Sequence, residues 1–223
     1  MSFDVPWHTP FNTFVYIIDI ITTSKNSNRM SNPYLVICSV GNPGARYAYT
    51  RHNMGHIVLD KIREYLGFHS WTRSPSLKNC VVSGSPSYPV ILYKSETQMN
   101  ISGGSISRNW QILRRQKLSE GYDPVLVIIN DELSLPVGKS QVRLKNSSPR
   151  GHNGLKSIRT AMGGNFLSIS VGIGRPESRD QNSISNYVLS RIPTHELQIV
   201  YEDVVIDVCG YLEQMLEGNY IDD

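Results

Sequence analysis

His52 stands in the string Arg51-His52-Asn53, between a turn-forming Asn42-Pro43-Gly44 and a stretch whose apolar residues recur at helical spacing. An imidazole presented there can act as a general base near neutral pH. A base of this kind needs an orienting partner, and Asp131, which follows the apolar run Leu126–Ile129, suits that role. A carboxylate bonded to one ring nitrogen fixes the tautomer and stabilises the imidazolium. The plainer reading of His52 is a helix-capping or surface histidine. The sequence offers no side-chain nucleophile: no serine lies in a GxSxG string, and Cys38, Cys80 and Cys209 sit in apolar runs. No His, Cys or acid spacing resembles a metal site, so neither a metal nor another cofactor is expected, and water is left as the attacking group. Asn42, Asn100 and Asn153, the last in Gly151-His152-Asn153-Gly154, offer neutral amides suited to reading a peptide main chain and polarising a carbonyl. Asparagines in Gly-rich turns are also ordinary turn formers. Ser102-Gly103-Gly104-Ser105, at a helix start, could cradle a phosphate on backbone amides or could simply let two helices approach.

The elements that must hold these residues follow from periodicity. Tyr34–Val40 reads as a buried strand running into the Asn42 turn, and Met54, Ile57, Val58, Ile62, Tyr65 and Leu66 mark a helix that stops at Gly67. Val81-Val82 and Pro89–Tyr93 read as a strand pair around Gly-Ser-Pro-Ser, followed by a helix from about Ser102. Leu126–Ile129 is a buried strand with Asn130-Asp131-Glu132 beyond its end, where open α/β sheets place ligand-facing groups. Gln141–Leu144 and Phe166–Ile173 read as strands flanking a helix from Gly154 to about Met162. Leu197, Val200, Val204, Val208, Tyr211, Leu212 and Met215 mark one last amphipathic helix. Alternating and hairpin-like connections together predict a single-domain α/β/α sandwich with a mixed, mostly parallel twisted sheet.

A chain of 223 residues, 39% hydrophobic and 18% charged, suffices for one core and excludes collagen, coiled coil and wholesale disorder. The net charge of +3 argues little, but its distribution is informative. Between Leu133 and Pro176 there is no acid, while Lys139, Arg143, Lys145, Arg150, Lys156, Arg159 and Arg175 all fall there. From Pro193 onward the sign reverses, with acids and no Lys or Arg. An anion would dock on the middle of the chain. Three widely separated cysteines suggest no disulfide framework and a reducing compartment. The apolar patch Phe14–Ile21, broken by Asp19, is too short to span a membrane. Residues 1–32 are set apart as an N-terminal extension ahead of a domain at 33–223; Asp4, Asp19 and the late first arginine, Arg29, fit a mitochondrial transit peptide poorly.

Taken together, GNPGARYAYTRHNMG, QMNISG, NDELSLPVGKSQVRL, RGHNGLKSI and SVGIGRP, collinear over about Leu35–Arg191, resemble the bacterial-type peptidyl-tRNA hydrolases, a family also found in eukaryotic organelles. The resemblance implies hydrolysis of the ester between a peptide carboxyl and the 3′-terminal ribose of tRNA. It implies His52 as the proton acceptor that activates water, Asp131 as the group that keeps His52 basic, and Asn42 as the residue that separates N-blocked peptidyl from free aminoacyl esters. By the same resemblance Tyr47, Gln98, Asn100 and Asn153 contact the tRNA 3′ end or the peptide, with Asn100 and Asn153 placed to hold the water and the carbonyl. Three positions depart from the family pattern: Ser39 replaces a glycine, Gln98 an aromatic, and Ser170 an arginine. Arg143, Lys145 and Arg150 are the expected phosphate contacts to the acceptor stem. The expected partner is tRNA, with no membrane, and the chain is expected to work as a monomer. A mitochondrial location is the expectation by family analogy, with the cytoplasm as alternative. The rival functions are a catalytically inactive RNA-binding relative, against which the presence of both His52 and Asp131 speaks, and a small-ester hydrolase, which has no use for the basic block.

Overall fold

A computed structural model describes residues 32–220. The proposed N-terminal extension therefore lies, but for Asn32, outside the described residues. Asn32 itself belongs to the fold: its backbone N–H donates to Asp123 Oδ2 at 2.8 Å and its side-chain amide to the Gly121 carbonyl at 3.2 Å.

Six strands form one sheet: β1 (Pro33–Ser39), β2 (Cys80–Gly84), β3 (Val90–Ser95), β4 (Asp123–Glu132), β5 (Ser140–Arg143) and β6 (Leu167–Gly172). Their order is β2-β3-β1-β4-β6-β5. The four inner strands run parallel, and β2 and β5 pair antiparallel at the two edges. The inner strands read as near-continuous runs of Val, Ile and Leu because helices cover both faces. On one face α1 (Met54–Tyr65) and α6 (Val205–Leu216) pack over Leu35, Ile37, Val127, Ile129 and Ile169. On the other, α2 (Ser102–Ser119) and α3 (Asn153–Met162) pack over Val36, Cys38, Leu126 and Ile128. This is the expected α/β/α sandwich with a mixed, mostly parallel sheet. All three cysteines are buried free thiols, and among the described residues no helix is long and apolar enough to cross a membrane.

The structure corrects the expected elements in three places. The strand around Leu126–Ile129 extends to Glu132, so Asp131 lies within β4, paired with Val171 of β6, and not in a loop beyond it. The β1 pairing ends at Ile129, but the parallel ladder with β6 continues to Glu132 and carries the polar tail of β4 along with its apolar centre. A helix absent from the expected order, α4 (Gln181–Leu189), follows β6. Its only buried residue is Val188, so it shows no apolar periodicity; it is capped instead by Asp180, whose Oδ1 accepts from the Ser183 N–H at 2.9 Å. The last helix is three pieces: α5 (Thr194–Ile199), a π-helical turn at Val200–Val204, and α6. The wider turn lets Val204 and Val205, adjacent in sequence, both bury against the core, at 0% and 4% exposure.

Candidate active site

The site forms where β1 and β4 end. β1 runs into the Asn42 loop, the chain returns through two 3₁₀ turns, Ala45–Tyr47 and Arg51–Asn53, and the second leads directly into α1. The helix can start there because of Gly55: a Cβ at that position would lie 2.4 Å from the Ile129 carbonyl oxygen, so only glycine lets α1 ride this close on β4. That close approach brings the residue just before α1 to the strand end that carries Asp131.

His52 Nδ1 lies 2.9 and 3.0 Å from the two oxygens of Asp131. Asp131 is only 3% exposed and is met from the other side by His152, whose Nε2 lies 2.8 Å from Oδ1. The two rings stand 5.3 Å apart across the carboxylate. His152 is held in turn by α3, since the Leu155 N–H donates to its Nδ1 at 3.2 Å. That bond leaves Nδ1 without a proton, so the His152 proton sits on Nε2 and points to Asp131. For Asp131, burial pushes the pKa up, but the two imidazoles facing it, His152 first, outweigh burial and hold the carboxyl well below the usual range. For His52, burial lowers the pKa, and the Asp131 charge and hydrogen bond more than reverse this, leaving it raised. Because Nδ1 serves Asp131, Nε2 is the basic nitrogen of His52; it has no hydrogen-bond partner among the described residues.

His52, Asp131 and His152 offer ligand atoms that all lie within 4.8 Å of one another, a convergence that could hold a cation. In the structure the ring nitrogens facing Asp131 carry the protons that bond to it, so they offer a cation no lone pair. The arrangement accounts for the three side chains as a proton-handling unit.

Asn42 is clamped by the residue that follows His52. Asn53 Oδ1 accepts from the Asn42 N–H at 2.8 Å, and Asn53 Nδ2 donates to the Asn42 carbonyl at 2.9 Å. The side-chain Oδ1 of Asn42 accepts from the Met99 N–H at 3.1 Å, which fixes the flip of the amide and leaves its NH₂ with no partner among the described residues. Asn100 and Asn153 come together on one open cleft between the starts of α2 and α3. Tyr47 lies in the first 3₁₀ turn with the Arg46 guanidinium 4.5 Å over its ring, and Gln98 is exposed; neither hydrogen-bonds to the His52 and Asp131 pair. Two residues of the site escaped the sequence reading as individuals, His152 and Asn53, although both stood inside singled-out strings. His152 is separated from Asp131 by 21 positions with no spacing signal, and Asn53 acts only on main chain.

The start of α2 does not present a phosphate cradle. Ser102 is fully buried, the Gly103 N–H donates to Ser157 Oγ at 3.0 Å, and a Cβ on Gly103 would lie 2.1 Å from the Ser157 carbonyl oxygen. The glycine serves close packing of α2 on α3. The basic residues lie between β4 and α3: Arg143 Nη2 donates to the Ser148 carbonyl at 3.4 Å, Arg150 is exposed with Nη1 3.4 Å from Ser134 Oγ, and Lys145 is half-buried between them in sequence. Burial and the neighbouring Arg150 lower the Arg143 pKa, as like charges gathered on one loop should. Of the three family departures, Ser170 is fully buried in β6 and so offers no surface contact, Gln98 is exposed, and Ser39 is buried with its hydroxyl 2.8 Å from His56 Nδ1.

A family model described as peptidyl-tRNA hydrolase matches residues 36–222. The peptidyl-tRNA hydrolase of Saccharomyces cerevisiae is 37% identical over 171 residues, covering 74% of this chain and 87% of the yeast protein. That of Fervidobacterium nodosum is 34% identical over 191 residues, covering 84% and 92%. The crystal structure of an Arg119Gln mutant of the Acinetobacter baumannii peptidyl-tRNA hydrolase superposes with a TM-score of 0.70 at 25% identity, covering 86% and 93% of the two chains. Shared sequence over most of each relative's length, and a shared fold beneath it, establish that the chain belongs to the bacterial-type peptidyl-tRNA hydrolase family.

Proposed function

We propose that the chain is a peptidyl-tRNA hydrolase in which His52 takes a proton from water and that water attacks the ester carbonyl joining a peptide to the tRNA 3′-terminal ribose. The observation that carries this reading is the bond from His52 Nδ1 to a buried, charged Asp131, which leaves Nε2 as the free base. Attack forms a tetrahedral oxyanion; collapse breaks the carbonyl-to-ribose oxygen bond, and the imidazolium of His52 returns the proton to the leaving ribose oxygen. Asp131 stabilises the imidazolium between these steps, and His152 keeps Asp131 aimed. The amides of Asn100 and Asn153 hold the water and the carbonyl oxygen without adding charge. The unpaired NH₂ of Asn42 donates to a peptide carbonyl, and a free ammonium at that place would meet a donor it cannot pair with, which selects N-blocked esters. Tyr47 and Gln98 flank the path of the tRNA 3′ end, and Arg143, Lys145 and Arg150 hold acceptor-stem phosphates.

The test is release of N-acetylated amino acid from charged, acetylated tRNA by the wild type and by His52→Ala. Turnover by the wild type, with a fall of roughly 100-fold or more in the variant and unchanged tRNA binding, supports the reading. Equal loss of binding and turnover removes His52 as the base.

A further inference from the structure

α2 carries a set of cations that neither the catalytic groups nor the acceptor-stem contacts use. From Thr97 to Ser119 the chain has no acid, and Arg108, Arg114 and Arg115 are exposed and make no ion pair among the described residues. Gly104, Arg108, Gln111 and Arg115 recur at helical spacing and share one exposed face, with Arg108 and Arg115 about 10 Å apart along the axis. The acids nearest in sequence are already paired, Glu96 with Arg73 and Glu120 with Lys117, each at 2.7 Å.

At the head of this ridge lies a cavity of about 340 Å³, lined by Lys78, Asn79, Thr97, Ile101 and Arg108 among others. The Lys78 main chain is gripped by Asn109, only 1% exposed, whose Oδ1 accepts from the Lys78 N–H at 3.1 Å and whose Nδ2 donates to the Lys78 carbonyl at 2.7 Å. Asn53 holds Asn42 by the same pair of bonds. Ser105 Oγ donates to the Lys78 carbonyl as well, at 3.1 Å, and the Glu96 N–H donates to the Asn79 carbonyl at 2.9 Å. The Thr97 hydroxyl is buried with no hydrogen-bond partner among the described residues. A fixed turn thus presents an ammonium and a guanidinium beside an unpaired hydroxyl, donors suited to phosphate and ribose oxygens.

This surface stands apart from Arg143. Lys78 leads into β2 at one edge of the sheet and Arg143 lies on β5 at the other; five steps of ~4.8 Å across β2-β3-β1-β4-β6-β5 set the edges about 24 Å apart. α2 begins beside Asn100 and ends at Ser119, from which the chain turns into β4 and returns to Asp131, so the ridge leads from the catalytic end of the sheet to the opposite one. A stem that leaves His52 toward Arg143 does not lie along it. A membrane-surface helix sets bulky apolar residues beside its cations, but of the apolar residues of α2 only Leu118, in the last turn, is exposed. A protein interface is built round an apolar or aromatic centre, and the stripe from Gly104 to Arg115 has none. Unpaired cations in a row, without such anchors, suit a phosphate backbone. We propose that Lys78, Arg108 and Arg115 form a binding surface for a structured RNA other than the tRNA being cleaved. Such a contact holds the enzyme on one RNA while its active site works on another.

The experiment measures binding of an RNA hairpin with no single-stranded 3′ end over a salt series, and kcat/KM on N-acetylaminoacyl-tRNA, for the wild type, the Arg108→Ala/Arg115→Ala double variant, Lys78→Ala and Arg143→Ala. The double variant is expected to bind the hairpin about tenfold more weakly at low salt and to lower the log-log slope by about 1.4 to 1.8, two phosphate contacts, with kcat/KM within about twofold of wild type. Lys78→Ala, which leaves the main-chain grip of Asn109 in place, should lower the slope by about half as much. Arg143→Ala should do the converse, losing more kcat/KM than hairpin affinity. A double variant whose kcat/KM falls in proportion to its hairpin affinity gives the ridge to the substrate's own tRNA and overturns the proposal, as does a salt slope equal to that of the wild type. Unchanged hairpin binding with lost binding to phosphatidylserine vesicles or to polyglutamate assigns the ridge to a membrane or an acidic protein, and overturns it too.

Discussion

Arg51, the residue before His52, reaches across the fold to Glu196 of α5. Its Nη2 donates to Oε1 at 2.8 Å, its Nη1 to the other oxygen and to the Ile173 carbonyl, and its guanidinium stacks 4.4 Å from the Tyr187 ring centre. Its backbone N–H donates to the Ser190 carbonyl at 3.0 Å. The acidic C-terminal region thus supplies the anchor for the turn that carries the base.

Arg51→Ala should therefore cost on the order of 2–3 kcal/mol in urea unfolding, because it leaves Glu196 without its donor and the Ile173 carbonyl with the Tyr187 hydroxyl alone. Glu196→Gln, which keeps an acceptor oxygen, should cost less. Arg51→Ala should also lower kcat at temperatures where the variant is fully folded, since the His52 turn loses its tie. A variant of wild-type stability would show that the pair contributes nothing net.

Asp131→Asn should shift the acid limb of the activity profile. His52 must be neutral to accept a proton, so activity rises with pH through its pKa, which the Asp131 charge raises. Without that charge the limb should move to lower pH, while the maximal rate falls by roughly 10²- to 10⁴-fold because a neutral amide no longer stabilises the imidazolium and its NH₂ can hold the ring in the wrong tautomer. The stability signs run in opposite directions. The raised His52 pKa contributes stability that is full below the unfolded value and is lost as pH rises through the folded one. The depressed Asp131 pKa contributes stability present above its unfolded value and lost as pH falls. A pH-rate profile with an unmoved acid limb would remove Asp131 as the source of the shift.

Gly103→Ala should destabilise by about 1–3 kcal/mol, because its Cβ must displace the Ser157 backbone that now sits 2.1 Å from where it would lie. The cost should appear in thermal unfolding, and KM should rise as well, since pushing α2 from α3 parts Asn100 from Asn153. Gly104→Ala, next in the chain with open space around it, is the control and should be near neutral. If both variants behave alike, close helix contact is not what the first glycine provides.

Arg143→Ala should weaken tRNA binding and flatten its dependence on salt, each lost phosphate contact lowering the log-log slope by about 0.7 to 0.9. Its kcat at saturating substrate should stay close to wild type. A slope equal to that of the wild type places Arg143 off the interface.

The sheet and the His52 and Asp131 pair were legible in the sequence because they rest on strong local signals: unbroken β-branched runs, a Gly-rich turn, and a carboxylate at the end of an apolar strand. What was not legible depends on partners distant in sequence. His152 acquires its place only when α3 docks beside β4, and nothing in its 21-residue separation from Asp131 announces this. Asn53 acts on the backbone of Asn42, so its side-chain type alone could not reveal it. α4 went unread because a helix with a single buried residue has no periodicity to read. The glycines before α2 allowed both a phosphate and a packing reading, and only the position of Ser157 decides between them.

Ser39 is one corner of a small buried arrangement. Its hydroxyl meets His56 Nδ1, and the edge of that ring fills the space beside Gly41, where a Cβ would lie only 2.4 Å from it. Burial, helped by the charge of Lys94, lowers the His56 pKa to about 3, so the ring stays neutral, with Ser39 as the partner of Nδ1 and the Ser95 main chain as a second partner. These three positions are consequently interdependent in this chain. Glycine at 39 would strand a ring nitrogen of His56, and a methyl group at 41 would collide with the ring, so neither can change while the imidazole stays.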